Sequence, residues 1–299
     1  MPNSFTLPTP STATHPWPQA MTIIHAFTSD VAFIELLDEN HIDTHDVTSI
    51  DYANALSLYS ENYIHDKSIN DTTFAQVALL ANAPYFLHIQ KEMAKFDHEK
   101  EHRWLSDDEI RYLKGFKPYM AWFNQHISDY MYAHPTESMS DMNYSLAEIS
   151  SSAFPGERDI IENELMQAMR GARTESITRQ LLDRTSLQYD SGTPEDDLRG
   201  GDLMLIRNGQ RVKVDIKSSI SSIARLRGGY EQIDRQHISF GISHKHGTNK
   251  SDDVIELFPG FDRYDLGDSF SLNVPESDVQ QHADYVAEQL HLALDQHGI

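Results

Sequence analysis

Two carboxylates and a lysine are spaced so that they could act together on a phosphate ester. Residues 211–217 alternate between polar and apolar types, as a half-buried strand does, so Asp215 and Lys217 should project on one face. Asp202 opens an apolar run that ends at Asn208-Gly209, a pair typical of tight hairpin turns. The two runs therefore predict neighbouring strands of one hairpin, with Asp202 close to Asp215.

Such a set of side chains suits a hard divalent cation, Mg²⁺ or in its place Mn²⁺, because carboxylate oxygens are its preferred ligands. The ion can activate water and stabilise a phosphoryl transition state, while a lysine positions that water or offsets phosphoryl charge. Glu175 is a third candidate, since it shares a helix face with small apolar residues and a carboxylate there needs a partner. Arg179, one turn later, is the alternative partner, and Glu164 is a rival carboxylate on the same helix.

In type and order these residues resemble the PD-(D/E)XK nuclease superfamily. Its pattern is a helix with Glu, then an Asp, then Asp or Glu-x-Lys on a hairpin, and here it is represented by Glu175, Asp202 and Asp215-Ile216-Lys217. The resemblance covers about residues 165–245, with Gly201 where many members have proline. It implies a restriction-endonuclease-like fold, Asp202 and Asp215 as metal ligands, Lys217 as catalytic base or water-positioning residue, and Glu175 as auxiliary ligand.

The elements around this hairpin indicate an α/β (α+β) protein, with a small sheet behind a mainly helical first half. The resemblance implies that this sheet is a mixed central sheet flanked by helices. Residues 1–20 are rich in Pro, Ser and Thr without a charge, which predicts a disordered tail. Residues 21–150 show helical periodicity, with a capping box at Ser106 and Glu109, and predict a helical accessory domain. Pro and Ser-rich residues 135–157 predict a linker, and residues 151–299 the nuclease-like domain.

Composition narrows the class of protein. The 299 residues include no cysteine, which excludes disulfides and thiolate metal sites, and 46 acidic residues against 24 basic ones give a net charge of −22. That charge argues against binding phosphates through bulk positive surface. Yet residues 151–227 hold 12 basic and 12 acidic side chains, so half of the basic residues lie in about a quarter of the chain. The acid excess favours a halophilic protein stabilised by salt, with an ordinary acidic cytosolic protein as the alternative.

The sequence therefore predicts a Mg²⁺-dependent endonuclease that hydrolyses DNA in restriction, defence or repair. We expect it in the cytoplasm, with no membrane segment; RNA as substrate and a homodimer stay open. A non-catalytic nuclease-fold binding protein and a mimic of nucleic-acid charge are the alternatives. A zinc hydrolase is a further one, since His98, Glu99 and His102 match H-E-x-x-H, although their charged surroundings are typical of an exposed helix turn.

Overall fold

The computed structural model describes residues 15–44, 46–67, 69–100, 103–193, 201–218, 241–245, 254–261 and 266–296. The chain is a mixed α/β protein. In chain order its helices are α1 (Pro18–Thr28), α2 (Val31–Glu39), α3 (Ile50–Lys67), α4 (Asp71–Lys100), α5 (Asp107–Ala133), α6 (Met139–Ala153), α7 (Arg158–Leu182) and α8 (Glu276–Gln296). Its strands are β1 (Gln188–Ser191), β2 (Leu203–Arg207), β3 (Gln210–Ile216), β4 (Gly241–Lys245) and β5 (Val254–Phe258).

The chain divides into two compact units, which we call the helical unit and the sheet unit. The helical unit comprises residues up to His126 together with Met139–Gln167, and the sheet unit comprises Ile127–Ser138 with Ala168–Ile299. This division differs from the predicted boundary at residue 150. Long helices cause the difference, because α5 and α7 each contribute residues to both units.

Aromatic side chains build much of the helical unit's core. Phe86 of α4 stacks on Phe123 of α5 with ring centroids 4.4 Å apart, and both are fully buried. Aromatic rings bury large apolar areas and so dominate core energetics. The predicted capping box is confirmed at the start of α5: Ser106 N–H donates to the Glu109 carboxylate at 2.8 Å, and Glu109 N–H donates to Ser106 Oγ at 3.3 Å.

Two segments are more ordered than the sequence predicts. Of the predicted tail, residues 1–14 lie outside the described part, but Trp17 is only 3 % exposed and α1 starts at Pro18, where proline is favoured in a first helical turn. The predicted linker contains α6. Its buried residues Met139, Met142 and Leu146 recur at helical spacing, which outweighs the Ser-rich end of the helix.

The sheet unit is built on a five-stranded mixed sheet with strand order β1-β2-β3-β5-β4. All neighbouring strands are antiparallel except β3 and β5, which run parallel. One face carries an apolar cluster in which Val214 and Ile216 of β3 and Leu257 of β5 pack with Leu290 of α8. Residues between these positions on β3 and β5 therefore face the other side of the sheet.

The sequence anticipated only part of this sheet. The predicted β2–β3 hairpin is confirmed, and the third predicted strand, residues 237–243, overlaps β4 at 241–243, while 237–240 lie outside the described residues. Strands β1 and β5 were not predicted. The run Val254–Phe258 is buried at all five positions and precedes Pro259-Gly260, which is the signal that would have identified it.

Among the described residues, no single helix is long and apolar enough to cross a membrane. Helices α1 and α2 meet the length and composition criteria only as a pair, across a bend of 56°.

Candidate active site at the end of the β2–β3 hairpin

The β2–β3 hairpin brings the predicted residues to one end of the sheet. Asn208 and Gly209 have φ angles of 52° and 76°, the left-handed conformation that a tight hairpin turn requires. The ladder runs from Arg207 opposite Gln210 to Leu203 opposite Val214. Asp202 precedes the last pair on one strand and Asp215 follows it on the other, so the two residues are neighbours at the far end of the hairpin.

Asp202 is fixed by its backbone and by its side chain. Its N–H donates to Val214 O at 2.8 Å, and its carboxylate accepts the N–H of Ile216. The Asp202 carboxylate therefore lies beside Ile216, the last residue of β3, which directly follows Asp215. These two hydrogen bonds hold Asp202 to the strand that carries Asp215, so the two residues lie beside each other at the end of the hairpin.

Two glycines allow this close approach of the chain. A Cβ on Gly192 would lie 2.7 Å from the carbonyl oxygens of Gly201 and Asp202, and Gly192 N–H donates to Asp202 O at 3.1 Å. A Cβ on Gly201 would lie 3.2 Å from the Lys213 side chain. Gly201 therefore fits a place with little room for a larger side chain.

Asp215 and Lys217 form an ion pair, as their alternation on the strand predicts. Lys217 Nζ lies 2.6 Å from Asp215 Oδ1 and 2.5 Å from Oδ2, and the side chains of Asp215 and Lys217 are 16 % and 25 % exposed. Lys217 N–H donates to Leu257 O at 2.7 Å, so β5 anchors the backbone under this pair. Solvent can reach the pair, while the backbone that carries it is held from both sides.

Glu256 is a carboxylate that the sequence analysis missed. It is the register partner of Asp215 across the parallel β3–β5 pair, and it is 3 % exposed. Its Oε2 is buried and has no hydrogen-bond partner among the described residues. Paired residues of parallel strands lie on the same face, so Glu256 shares the face of Asp215, opposite the apolar cluster. Its sequence signal is a lone acidic residue in the middle of an apolar run.

Glu175 lies half-buried on α7 in the sheet unit. Its neighbours on the helix include Ser176 and Thr178, both fully buried. A Cβ on Gly171, one turn earlier on the helix, would meet no atom of the described residues within 4 Å. Arg179, the alternative partner, bonds Asp129 at 2.5 Å and lies 4.1 Å from the centre of the Tyr132 ring.

Helix α7 is connected to β1 through a carboxylate shared by two tyrosines. Asp183 accepts hydrogen bonds from Tyr189 of β1 at 2.6 Å and from Tyr132 at 2.5 Å. Burial and the hydrogen bond to Asp183 raise the pKa of Tyr189, so its hydroxyl stays protonated and continues to donate. This network fixes the first strand against the helix that carries Glu175.

The zinc-hydrolase alternative gains no geometric support. Glu99, its proposed base, is ion-paired with Arg103, and His98 lies near the end of α4. His102 lies outside the described residues. Within the ranges that the structure describes, no three His, Asp or Glu side chains are grouped closely enough to hold a metal ion.

The same finding applies to Glu175, Asp202 and Asp215, which are not assembled into a three-ligand group. The residues at the hairpin end still fit a hard cation in type, because they are carboxylates and the neighbouring Glu256 has an orphaned buried oxygen. Asp202 accepts a backbone amide here and Asp215 holds an ammonium group. A bound cation would therefore compete with the Ile216 amide hydrogen bond at Asp202 and with the Lys217 ammonium group at Asp215.

Comparison with protein-family models, with curated proteins and with solved structures found no match to this chain.

Proposed function

We propose that this protein is a Mg²⁺-dependent phosphodiesterase that cleaves DNA, and that its sheet unit has the restriction-endonuclease-like fold. The observation that carries the proposal is the end of the β2–β3 hairpin. There the Asp202 carboxylate is held by Ile216 N–H, and Lys217 Nζ lies within 2.6 Å of Asp215. Two carboxylates and a lysine at one accessible strand end are the groups that phosphodiester hydrolysis needs.

The order of elements supports the same proposal. Helix α7 carries Glu175 and leads into three antiparallel strands, and β5 lies parallel beside the third of them. This is a mixed sheet with a preceding helix and with α8 packed on one face. It agrees with the helix, strand and hairpin order that the resemblance to PD-(D/E)XK nucleases implies.

Each residue has a defined task in this proposal. Asp202 and Asp215 would hold Mg²⁺, which when bound supplies a Lewis acid beside the scissile phosphate and lowers the pKa of a coordinated water. Lys217 donates hydrogen bonds from its ammonium group to the attacking water or to a phosphoryl oxygen. Its positive charge then stabilises the negative charge that grows on the phosphate in the transition state. The β3 backbone, bonded to β2 and β5, keeps these groups in position.

The protein's net charge shapes how DNA would be bound. At −22, long-range electrostatics oppose the approach of a polyanion, and added salt screens that repulsion. We infer that binding depends on local contacts near the charge-balanced segment 151–227 and on the cation, more than on bulk positive surface. The acidic composition therefore predicts that added salt lowers DNA cleavage by this protein less than it lowers DNA cleavage by an ordinary basic nuclease.

The decisive experiment is a cleavage assay with the purified full chain. Supercoiled plasmid, linear duplex, single-stranded DNA and RNA are each incubated with Mg²⁺, with Mn²⁺ or with EDTA, at low and high KCl. We expect metal-dependent cleavage of DNA that Asp215→Asn reduces by at least about 100-fold, because a metal ligand is lost and Lys217 loses the carboxylate that holds it in place.

Asp190→Asn is the matched control, since Asp190 is an exposed aspartate on β1 that pairs with Arg211. It should leave cleavage within about twofold, as exposed ion pairs contribute little. If no polynucleotide is cut under any of these conditions, the enzymatic proposal fails. DNA binding without cleavage would then favour the alternative, a nuclease-fold binding protein.

A further inference from the structure

Glu256 is the buried acidic group that the proposed mechanism leaves unexplained. Only 3 % of the residue is exposed, and Oε2 has no hydrogen-bond partner within the described part of the chain. An ionised carboxylate removed from water is costly unless a positive group or hydrogen bonds compensate it. No described residue donates a hydrogen bond to Oε2, and a cation that binds there would compensate its charge.

Asp215, the neighbour of Glu256 on β3, increases the negative charge that must be compensated. Asp215 is its register partner on β3, and both lie on the sheet face opposite the apolar cluster. Like charges directly opposite each other on neighbouring strands repel. Lys217 compensates Asp215 through two short contacts, but it supplies one positive charge for two carboxylates. A divalent cation would supply the charge that balances both.

We propose that Glu256 is a ligand of the divalent cation, paired with Asp215 across the parallel β3–β5 strands. The proposal rests on the proposed function for the identity of the ion and adds a ligand from a strand that the sequence motif does not contain. It also assigns Lys217 a second property. Its ammonium group contacts both Asp215 oxygens, so a cation that binds Asp215 must displace it.

This arrangement predicts opposite effects of two substitutions on metal affinity. Glu256→Gln removes one ligand charge, and ligand charge count sets the affinity of carboxylate sites, so we expect binding at least about tenfold weaker. Lys217→Met removes the competing ammonium group, so we expect tighter binding although catalysis is lost. If Glu256 and Lys217 only stabilised the sheet, the two substitutions would not change metal affinity in opposite directions.

The measurement is titration of the full chain with MnCl₂ and with MgCl₂ by isothermal calorimetry, together with thermal melting with and without metal. Glu288→Gln is the matched control, because Glu288 is an exposed glutamate on α8 of the same unit. It should bind metal as the wild type does. Without metal, Glu256→Gln should melt higher than the wild type, because the buried like charge is removed, and added metal should raise its melting temperature less.

The outcomes separate this inference from the proposed function. If Glu256→Gln binds Mn²⁺ as tightly as the wild type while the wild type cleaves DNA, Glu256 is no ligand and the proposed function stands. If metal binding depends on Glu256 but no polynucleotide is cut, the cation site stands and the proposed function fails. If added metal raises the melting temperature of Glu256→Gln as much as that of the wild type, Glu256 does not bind the cation and the inference is overturned.

Discussion

Each of the two units buries a carboxylate beside another ionisable side chain, and the two neighbours differ in kind. In the helical unit, the Glu148 side chain is 13 % exposed and lies 3.3 Å from His15 Nε2, with His25 close enough to sense its charge. In the sheet unit, Glu256 is 3 % exposed, and its register partner is a second carboxylate, Asp215.

The difference teaches what each site can respond to. Beside Glu148 the partners are imidazoles, which can take up a proton between pH 5 and 8, so that site can adjust its own charge. The register partner of Glu256 on β3 carries the same sign and is ion-paired with Lys217, so an added cation would compensate both carboxylates. We therefore expect the stability of the helical unit to depend on pH through the histidines beside Glu148. We expect the stability of the sheet unit to depend on added cation through Glu256.

The largest expected effect tests whether chemistry belongs to the sheet unit alone. Lys217→Met should lower the DNA cleavage rate by about 100- to 1,000-fold, because a preorganised charge beside the phosphate is removed. Lys91→Met is the equivalent change in the helical unit, where Lys91 pairs with Glu157 and lies 3.9 Å from the centre of the Phe154 ring. It should leave cleavage within about twofold; a comparable loss in both variants would contradict the separation.

A glycine pair tests how tightly the hairpin end is constrained. Gly192→Ala places a Cβ 2.7 Å from backbone oxygens of residues 201 and 202, so the chain holding Asp202 must shift. We expect a loss of about 1–3 kcal/mol in the free energy of unfolding, together with weaker cleavage. Denaturant unfolding measures the first quantity.

Gly171→Ala is the control for that substitution. The added Cβ would meet nothing within 4 Å, and alanine is favoured over glycine inside a helix. This variant should gain roughly 0.5–1 kcal/mol of stability. Equal stability of the two variants would show that the hairpin end tolerates the displacement of Asp202.

Acid should destabilise the protein through the histidines near Glu148. Burial lowers the pKa of both His15 and His25 below the usual 6.5, and this effect exceeds the opposite one of the nearby Glu148. The unfolded chain therefore binds more protons below pH 6.5, so this contribution is complete above that pH and is lost as the pH falls through the lowered values.

Unfolding measured between pH 7 and 5 checks this expectation. Each histidine contributes at most about 1.4 kcal/mol per pH unit to the slope of stability against pH. His25→Gln should flatten the slope. An unchanged slope in His25→Gln would remove histidine titration from the comparison.

The smallest expected effect on stability concerns Glu109, an exposed carboxylate of the helical unit that is hydrogen-bonded by Arg103 and Ser106. Hydrogen bonds from Arg103 and from the Ser106 cap lower the pKa of Glu109 to about 2. Its contribution to stability is present above the usual value of 4.5 and is lost as the pH falls through about 2. Carbon-13 NMR titration should show this pKa, and Arg103→Met should raise it with little change in stability, as is usual for exposed pairs. A Glu109 that titrates near 4.5 in the wild type would refute the predicted compensation.

The hairpin was predictable because its signals are local. The Asn208-Gly209 turn sets the register, and alternation in β3 assigns each residue to a face, so the pairing of Asp215 with Lys217 follows from adjacent sequence. The capping box at Ser106 was predictable for the same reason. The linker was predicted wrongly, because serines outweighed the helical spacing of α6 in that interpretation.

The sequence by itself determined the mixed α/β class, the hairpin and the set of residues at its end, because these depend on turns and on periodicity over a few residues. Only the tertiary structure decided that β5 lies parallel to β3 and that Glu256 faces the same side as Asp215. Parallel strands are far apart in sequence because a long crossover connection must join them, and no local pattern encodes their register. The burial of Glu256, from which its need for a compensating charge arises, could be read only from the folded chain.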